Sequence, residues 1–592
     1  MLYRGFFETP RKIEQDIDQA AEDSTDSSIT EGQTLTMVIK DTQDTQKIKT
    51  IKITEDQDPD PRTDVAVLHP PSSPSPGAGR LPLFINKWKE VTTNSFVLSV
   101  VEFGLKIQFF SDPPILILSS GNFSPLRSSV VSKEVSILAK KTAIAKTVSN
   151  PDQFVSPIFD VAKKNSEDRR VILNLKILNS YILKTSFKLE GYEVIKNMIR
   201  PGDYFVSIDL RDAYLMLTMH PEFWHYLCFD WLDTRWFYRC MPFGLTSSPR
   251  IFTKIFKSVL IFLRKRGLRV SAWFDDIFLA ASSIPLILEH LNFTLITLNS
   301  LGFLPHSEKS MLKPSQSILH LGFIWNSVDF TLAVPSDKVK ELKKLCSQAM
   351  LKRVSLRFLN RILGTIENFR IAFPYAALHY RGIQRSVAYF ISQNFKWDHK
   401  IILSESAIRD LQWWVDCPIS LPTRPLSPFV QDITIITDSS ETGWGGVLDD
   451  QEAYGFWSDS ESLLHINTLE TQAIYFVCLS LLRNVSNASI LIKSDSTTAI
   501  AYINNLGGVR SEEIFSVISE LYDFCIKRNL RIQASHICGC LNSHADSLSR
   551  KTREHSYSLS KDLFSFMCDK ILFKPVIDLF ASRLNHYIFR WP

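Results

Sequence analysis

The sequence predicts a multidomain α+β protein, and three observations carry that expectation. A chain of 592 residues is too long for one core at the usual ~100–200 residues per domain. Short apolar strand candidates alternate with helical stretches from about Phe154 to Asn326, and a second α/β alternation runs from about Asp432 to Arg550. Between them lie a helical region and a proline-rich segment.

In chain order, residues 1–78 read as a disordered polar and acidic tail. Between Arg11 and Val65 there are 14 acidic residues, 7 basic ones and no aromatic, and Pro70 to Gly77 is mostly Pro and Ser. Such a composition buries too little apolar surface to order itself. The whole chain carries +5, so the remainder carries about +12, the sign that a phosphate backbone attracts. Residues 79–150 form a lead-in with Trp88, Phe96 and Phe109 among polar neighbours, folded but silent about function. Residues 151–330 hold strand candidates at Val171–Leu175, Tyr204–Asp209, Ser271–Ala280 and Ile318–Trp325, with a helix at Ile251–Lys265.

Residues 331–417 are helical. After Pro335-Ser336-Asp337, Val339, Leu342 and Leu345 recur at helical spacing opposite Lys338, Lys340, Lys344 and Lys352. That basic side is either a solvated face or one that lies along a nucleic-acid backbone. Residues 418–431 read as a linker, 432–550 as the second α/β unit, and 551–592 as a C-terminal extension.

Nine cysteines scattered without a paired framework suit a reducing compartment and exclude a disulfide scaffold. The first residues are too poor in apolar side chains for a signal peptide, and no stretch reaches about 18 uncharged apolar residues. The expectation is a soluble intracellular protein, cytoplasmic or nuclear, neither secreted nor membrane-bound.

Carboxylates carry the chemistry. Asp209 closes the strand candidate Tyr204–Asp209, while Asp275 and Asp276 stand between two apolar runs, Val270–Phe274 and Ile277–Ala280, as at a tight hairpin. Acids that converge from two strands can share two metal ions about 3.5–4 Å apart, the arrangement that nucleotidyl transfer needs. An isolated acidic pair is weak evidence: Asp449 and Asp450 are also adjacent, yet they read as a surface turn.

The order of Ser207-Ile208-Asp209-Leu210-Arg211-Asp212-Ala213-Tyr214, Met241-Pro242-Phe243-Gly244 and Trp273-Phe274-Asp275-Asp276 resembles the reverse transcriptases of retroviruses and long-terminal-repeat elements. The resemblance implies a fingers, palm and thumb arrangement, with fingers and palm in 151–330 and thumb and connection in 331–417. It implies that Asp209 and Asp275 bind two Mg²⁺ ions, with Mn²⁺ as an alternative, and that Asp276 supports them. Tyr214 corresponds to the aromatic that excludes a 2′ hydroxyl, and Phe243 and Gly244 to the floor of the nucleotide pocket. Lys163 or Lys164, with Arg170, matches the fingers residues that grip the triphosphate, and Lys309 the lysine that protonates pyrophosphate. Trp273 and Ala162 stand where relatives usually have tyrosine and proline, so primer positioning and fingers rigidity are where this chain departs from the pattern.

Four further acids, Asp438, Glu470, Asp495 and Asp546, stand at the ends of separate elements in the second α/β unit. With Gly443-Trp444-Gly445-Gly446 and His536, their order resembles ribonuclease H. The resemblance implies metal-dependent cleavage of RNA paired to DNA, with the four acids as ligands and His536, in a mobile loop, assisting product release or proton transfer. Cys538, Cys540, His536 and His544 lack the paired spacing of a zinc site.

Gly79-Arg80-Leu81 with Trp88, then Trp413-Trp414, and finally Asp578-Leu579-Phe580-Ala581-Ser582-Arg583-Leu584-Asn585 extend the likeness. The combination resembles the DIRS group of tyrosine-recombinase retrotransposons. On that resemblance the chain stops in mid-motif at Trp591-Pro592 and reads as truncated or split. The partners implied are an RNA template, a DNA primer, the RNA–DNA hybrid and dNTPs, with an element-encoded capsid-like protein and a tyrosine recombinase on other chains. The alternatives are a pararetroviral polymerase and an inactive, co-opted remnant that only binds nucleic acid.

Overall fold

The computed structural model describes residues 77–121, 123–162, 169–350, 353–551, 560–571 and 573. The expected tail up to residue 76, Lys163 and Lys164, and the segment 578–585 lie outside the described residues. Ala78, assigned to the tail by composition, is buried instead in the first core.

That core runs from Ala78 to Phe303 and surrounds a four-stranded antiparallel sheet. The strand order is Arg269–Trp273, Asp276–Ala281, Tyr204–Asp209, Met311–Ser315. Ile277 to Ala281 are buried without a break, so this central strand is covered on both faces. The helix Ser248–Arg264 covers part of the sheet because Ile251, Phe252, Ile255, Phe256, Val259, Leu260 and Leu263 recur at its period and bury together. The lead-in joins the same core. Trp88 is fully buried, donates its indole N–H to the Leu301 carbonyl at 3.0 Å and meets Phe303 edge-on with ring centroids 5.9 Å apart. A separate two-stranded ribbon, Ile158–Ala162 with Arg169–Leu173, brings Arg169 and Arg170 to the edge of this body.

A second core is built on the hairpin Ser317–His320 and Phe323–Asn326, extended by Thr331–Ala333. Its helices are Ser336–Met350, Leu356–Phe369, Arg381–Ser392 and Glu405–Asp416. Val339, Leu342 and Leu345 are buried on the first of these, as their spacing predicts. The proline-rich segment is more than a connection. Arg424–Pro425 pairs with Thr331–Ala333 as an edge strand, a position where proline's missing N–H does no harm, and Leu421 and Leu426 are buried.

The third core lies in a five-stranded mixed sheet ordered Gln451–Phe456, Gly443–Leu448, Ile433–Ser439, Ser489–Ser494, Arg531–His536. The first three strands are antiparallel and the last two run parallel to Ile433–Ser439 and to each other. Asp449 and Asp450 form the two-residue turn between the strands Gly443–Leu448 and Gln451–Phe456, the surface turn expected of them. All nine cysteines are unpaired, and no helix among the described residues is long and apolar enough to cross a membrane.

Candidate active sites

Strand register brings the first acids together. Asp209, the last residue of Tyr204–Asp209, pairs with Asp276, the first of Asp276–Ala281. Trp273 pairs with Asp276 as well, so Phe274 and Asp275 form the two-residue turn and Asp275 is at its tip. Phe274 adopts φ +57°, a left-handed conformation that a bulky side chain rarely accepts. The turn is tied down by the Leu210 N–H donating to the Asp275 carbonyl at 3.0 Å. Asp209 is fixed through its backbone: its N–H donates to Ser310 Oγ at 3.0 Å, and its carbonyl accepts from His306 N–H at 2.7 Å.

The proximity has electrostatic consequences. Burial pushes the Asp209 carboxyl above its ordinary value; Lys309 and His306 oppose the rise and Asp276 adds to it. Asp275 is raised by burial first, with its own backbone hydrogen bond and Arg170 opposing and Asp209 and Asp276 adding. Crowded, partly desolvated carboxylates of this kind favour a cation among them. Among the described residues, no three His, Cys, Asp or Glu side chains are drawn together into a ready-made metal cage. Backbone register makes Asp209 and Asp276 neighbours.

The candidate nucleotide side adjoins these acids. Tyr214 lies edge-on to Phe243 and to Phe252, with centroids 5.5 and 5.6 Å away. Its hydroxyl is pushed up to about 12 by burial and then by the charge of Asp275. Arg170 stands over the Phe243 ring at 4.6 Å, while its neighbour Arg169 points to the other face of the ribbon and pairs with Asp160. Gly244 has φ +104°, and a Cβ there would meet the Leu173 carbonyl oxygen at 2.3 Å, so only glycine lets this loop approach the ribbon. Asn179 clamps the loop by donating to the Gly244 carbonyl at 2.8 Å and accepting from Thr246 N–H at 2.9 Å. Nothing local in the sequence marks Asn179 or Ser310, because each bonds a residue more than sixty positions away.

The second set of acids comes from strands of the third sheet and from two helices. Asp438, buried on Ile433–Ser439, accepts from Asn542 Nδ2 at 2.8 Å and from Ser549 Oγ at 2.9 Å. Burial raises it to about 6, with Asp495 and Asp546 adding and Ser549 and Arg550 opposing. Glu470, on the helix Ile466–Leu481, is raised to about 8 by burial, then by Asp438 and Asp495, and its Oε2 is buried without a hydrogen-bond partner. Asp495 follows Ser489–Ser494, and Asp546 lies in Ser543–Ser549, paired with Arg550 at 2.8 Å. The glycines explain how the elements close on one another. A Cβ on Gly445 would meet Leu548 Cβ at 2.5 Å, and one on Gly446 would meet Val477 at 2.5 Å. His536 ends the strand Arg531–His536, opposite Ser494, rather than sitting in the loop expected from the resemblance. Cys538 and Cys540 are exposed with sulfurs 3.1 Å apart, and His544 turns to Glu452 at 2.7 Å.

Residues 161–325 match the family described as reverse transcriptase (RNA-dependent DNA polymerase), which identifies a reverse transcriptase domain in that segment. The chain is 23% identical over 318 residues to the Transposon Tf2-3 polyprotein of Schizosaccharomyces pombe, covering 52% of this chain and 22% of that one. It is 22% identical over 458 residues to the Enzymatic polyprotein of Cauliflower mosaic virus (strain Strasbourg), covering 72% and 62% respectively. The chain therefore spans about a fifth of the first relative and about three fifths of the second. Among solved structures it resembles the foamy viral protease-reverse transcriptase in complex with dsDNA, with a TM-score of 0.47, 14% identity, and 78% and 98% of the two chains covered. The same protein in complex with RNA/DNA hybrid gives a TM-score of 0.45 at 14% identity, covering 81% and 65%.

Proposed function

We propose that the chain is the RNA-directed DNA polymerase of a retrotransposon of the DIRS group, with ribonuclease H activity in its second α/β unit. The observation that carries the polymerase reading is the register that sets Asp276 opposite Asp209 with Asp275 at the turn tip, inside a segment matching the reverse transcriptase family. Asp438 and Asp495, at the ends of neighbouring parallel strands, and Glu470, whose carboxyl is raised by both, support the nuclease reading.

Asp209, Asp275 and Asp276 would hold two Mg²⁺ ions, or Mn²⁺, and the chemistry these supply when bound is activation of the primer 3′ hydroxyl and neutralisation of the pyrophosphate leaving group. Arg170 grips the triphosphate beside Phe243, Tyr214 closes the space a 2′ hydroxyl would need, and Lys309 donates a proton to pyrophosphate. Asp438, Glu470, Asp495 and Asp546 would hold the corresponding pair in the nuclease. The buried, unpartnered Oε2 of Glu470 fits that assignment, since a buried acceptor without a donor gains from a cation. His536 assists product release or proton transfer. The partners follow: RNA template, DNA primer, hybrid and dNTPs inside the cell, with capsid-like and recombinase functions on other chains. A pararetroviral polymerase is the second reading, favoured by the likeness to the cauliflower mosaic virus polyprotein over 72% of this chain.

Primer extension on an RNA template with Mg²⁺ tests the proposal. The wild-type chain should extend the primer and cut the RNA of the hybrid. Asp275→Asn with Asp276→Asn should abolish extension alone, and Asp438→Asn should abolish cutting alone. Equal extension by wild type and the double variant, or none by either, overturns the polymerase reading.

A further inference from the structure

We infer that His320 is a positioning residue for the Asp276 carboxylate and so ties the hairpin Ser317–Asn326 to the Asp-Asp turn. The inference rests on the polymerase reading above. His320 ends the strand Ser317–His320, and Leu321 and Gly322, at φ +49° and +80°, make the two-residue turn into Phe323–Asn326. Two consecutive positive φ values belong to the tight hairpin turn whose twist matches its strands, so the position of His320 is set by local geometry. Its carbonyl accepts from the Trp325 indole at 3.2 Å, which fixes the backbone again.

The side chain is 3% exposed and packs on Phe278, with ring centroids 4.9 Å apart. Nδ1 is buried with no aligned hydrogen bond, and it lies 3.2 Å from Oδ1 of Asp276. A buried ring nitrogen without a partner is costly, and nothing in an aromatic pocket requires one. What the nitrogen offers is a contact to an acid on a different strand. An imidazole that engages one carboxylate oxygen restricts the rotamers of Asp276, the strand partner of Asp209, and leaves its other oxygen free. The Asp276 side chain is otherwise open to solvent, 39% exposed.

Two substitutions separate positioning from packing. His320→Phe keeps an aromatic ring and removes the nitrogen, whereas His320→Asn places a polar atom where Nδ1 stands, the same number of bonds from Cα. On the full chain with primer–template, His320→Phe should lower kcat for dNTP addition by about 10- to 100-fold while KM for dNTP stays within about twofold. His320→Asn should recover activity to within about threefold of wild type. Mn²⁺ binding, followed by electron paramagnetic resonance without dNTP, should weaken at least about fivefold in His320→Phe and not in His320→Asn. The inference is overturned if the Phe variant keeps wild-type kcat and Mn²⁺ affinity. It is equally overturned if the Asn variant, with an unchanged melting temperature, is as impaired as the Phe variant. If the wild type extends no primer, the polymerase reading fails, and the Mn²⁺ comparison still reads the His320–Asp276 contact.

Discussion

Glu470 carries its carboxyl where the charged form is opposed first by burial and then by Asp438 and Asp495. Its pKa rises from 4.5 to about 8, and that of Asp438 from 3.8 to about 6. An acid raised on folding holds its proton more tightly in the folded chain than in the unfolded one. Its contribution to stability is therefore complete below its ordinary pKa and is lost as pH rises through the folded value. With chelator present, the third core should thus melt at lower temperature as pH rises from about 5 to about 8. Glu470→Gln, neutral throughout, should flatten that dependence, and Mg²⁺ should restore the midpoint at high pH because a bound cation replaces the proton. Melting curves across this range check it; a wild-type slope equal to that of the Gln variant would show that Glu470 titrates normally. The same reasoning gives Asp209 and Asp275, both raised, the same sign of response.

Local periodicity makes some elements legible and misses others: Ile318–Trp325, expected as one strand, is a hairpin that turns at Leu321 and Gly322. Tyr204–Asp209 is a strand with the expected bounds, and Asp449 and Asp450 form the expected surface turn. The acidic pair at 275–276 reads as a hairpin tip, and register refines this: Asp275 is in the turn while Asp276 already belongs to the strand. What stayed hidden is contact between elements far apart in the chain. Composition makes Arg424–Pro425 part of a linker, yet its pairing with Thr331–Ala333 is visible only in three dimensions. Asp160 reads as one more polar strand residue, but its buried carboxylate is shared by Arg127 and Arg169, whose hydrogen bonds overcome the burial that would raise its pKa. The Pro-Phe-Gly loop shows both kinds of information. The resemblance makes Gly244 a place where substrate approaches closely, whereas the neighbour the structure sets against it is the Leu173 carbonyl of the chain's own ribbon. Gly244→Ala should meet rigid backbone there as well as an unfavourable φ, costing on the order of 3 kcal/mol. A fall in the urea midpoint with an unchanged slope is the expected result; an unchanged midpoint would mean that the loop stands off from the ribbon.

At the scale of the whole molecule, the proposed function raises the question of how the body around the first acids and the second α/β unit would act on one duplex. The helical region supplies the joint. Arg381, 7% exposed, donates to the Asn505 carbonyl at 2.5 Å, and burial lowers its pKa. Arg385 pairs with Glu512 at 3.0 Å, the rings of Tyr375 and Tyr522 meet at 6.2 Å, and Leu378 is buried in the third core. A cavity of about 690 Å³ opens along this joint between Arg370 and Arg381 on one side and His465, Tyr502 and Arg510 on the other. The joint therefore combines one buried guanidinium with apolar contact, and removing that group leaves a carbonyl without its donor inside the interface. Arg381→Ala should loosen the joint without touching either set of acids. Extension of a primer by the variant should stay within about twofold of wild type, while cutting of the hybrid that forms during extension should fall by about fivefold or more, because two loosely linked sites lose effective concentration on a shared duplex. Cutting of a preformed hybrid supplied in excess should change far less. Comparing the two cleavage assays checks the argument: equal losses in both would place the defect in the nuclease fold itself, and no loss in either would show that Arg381 does not couple the two units.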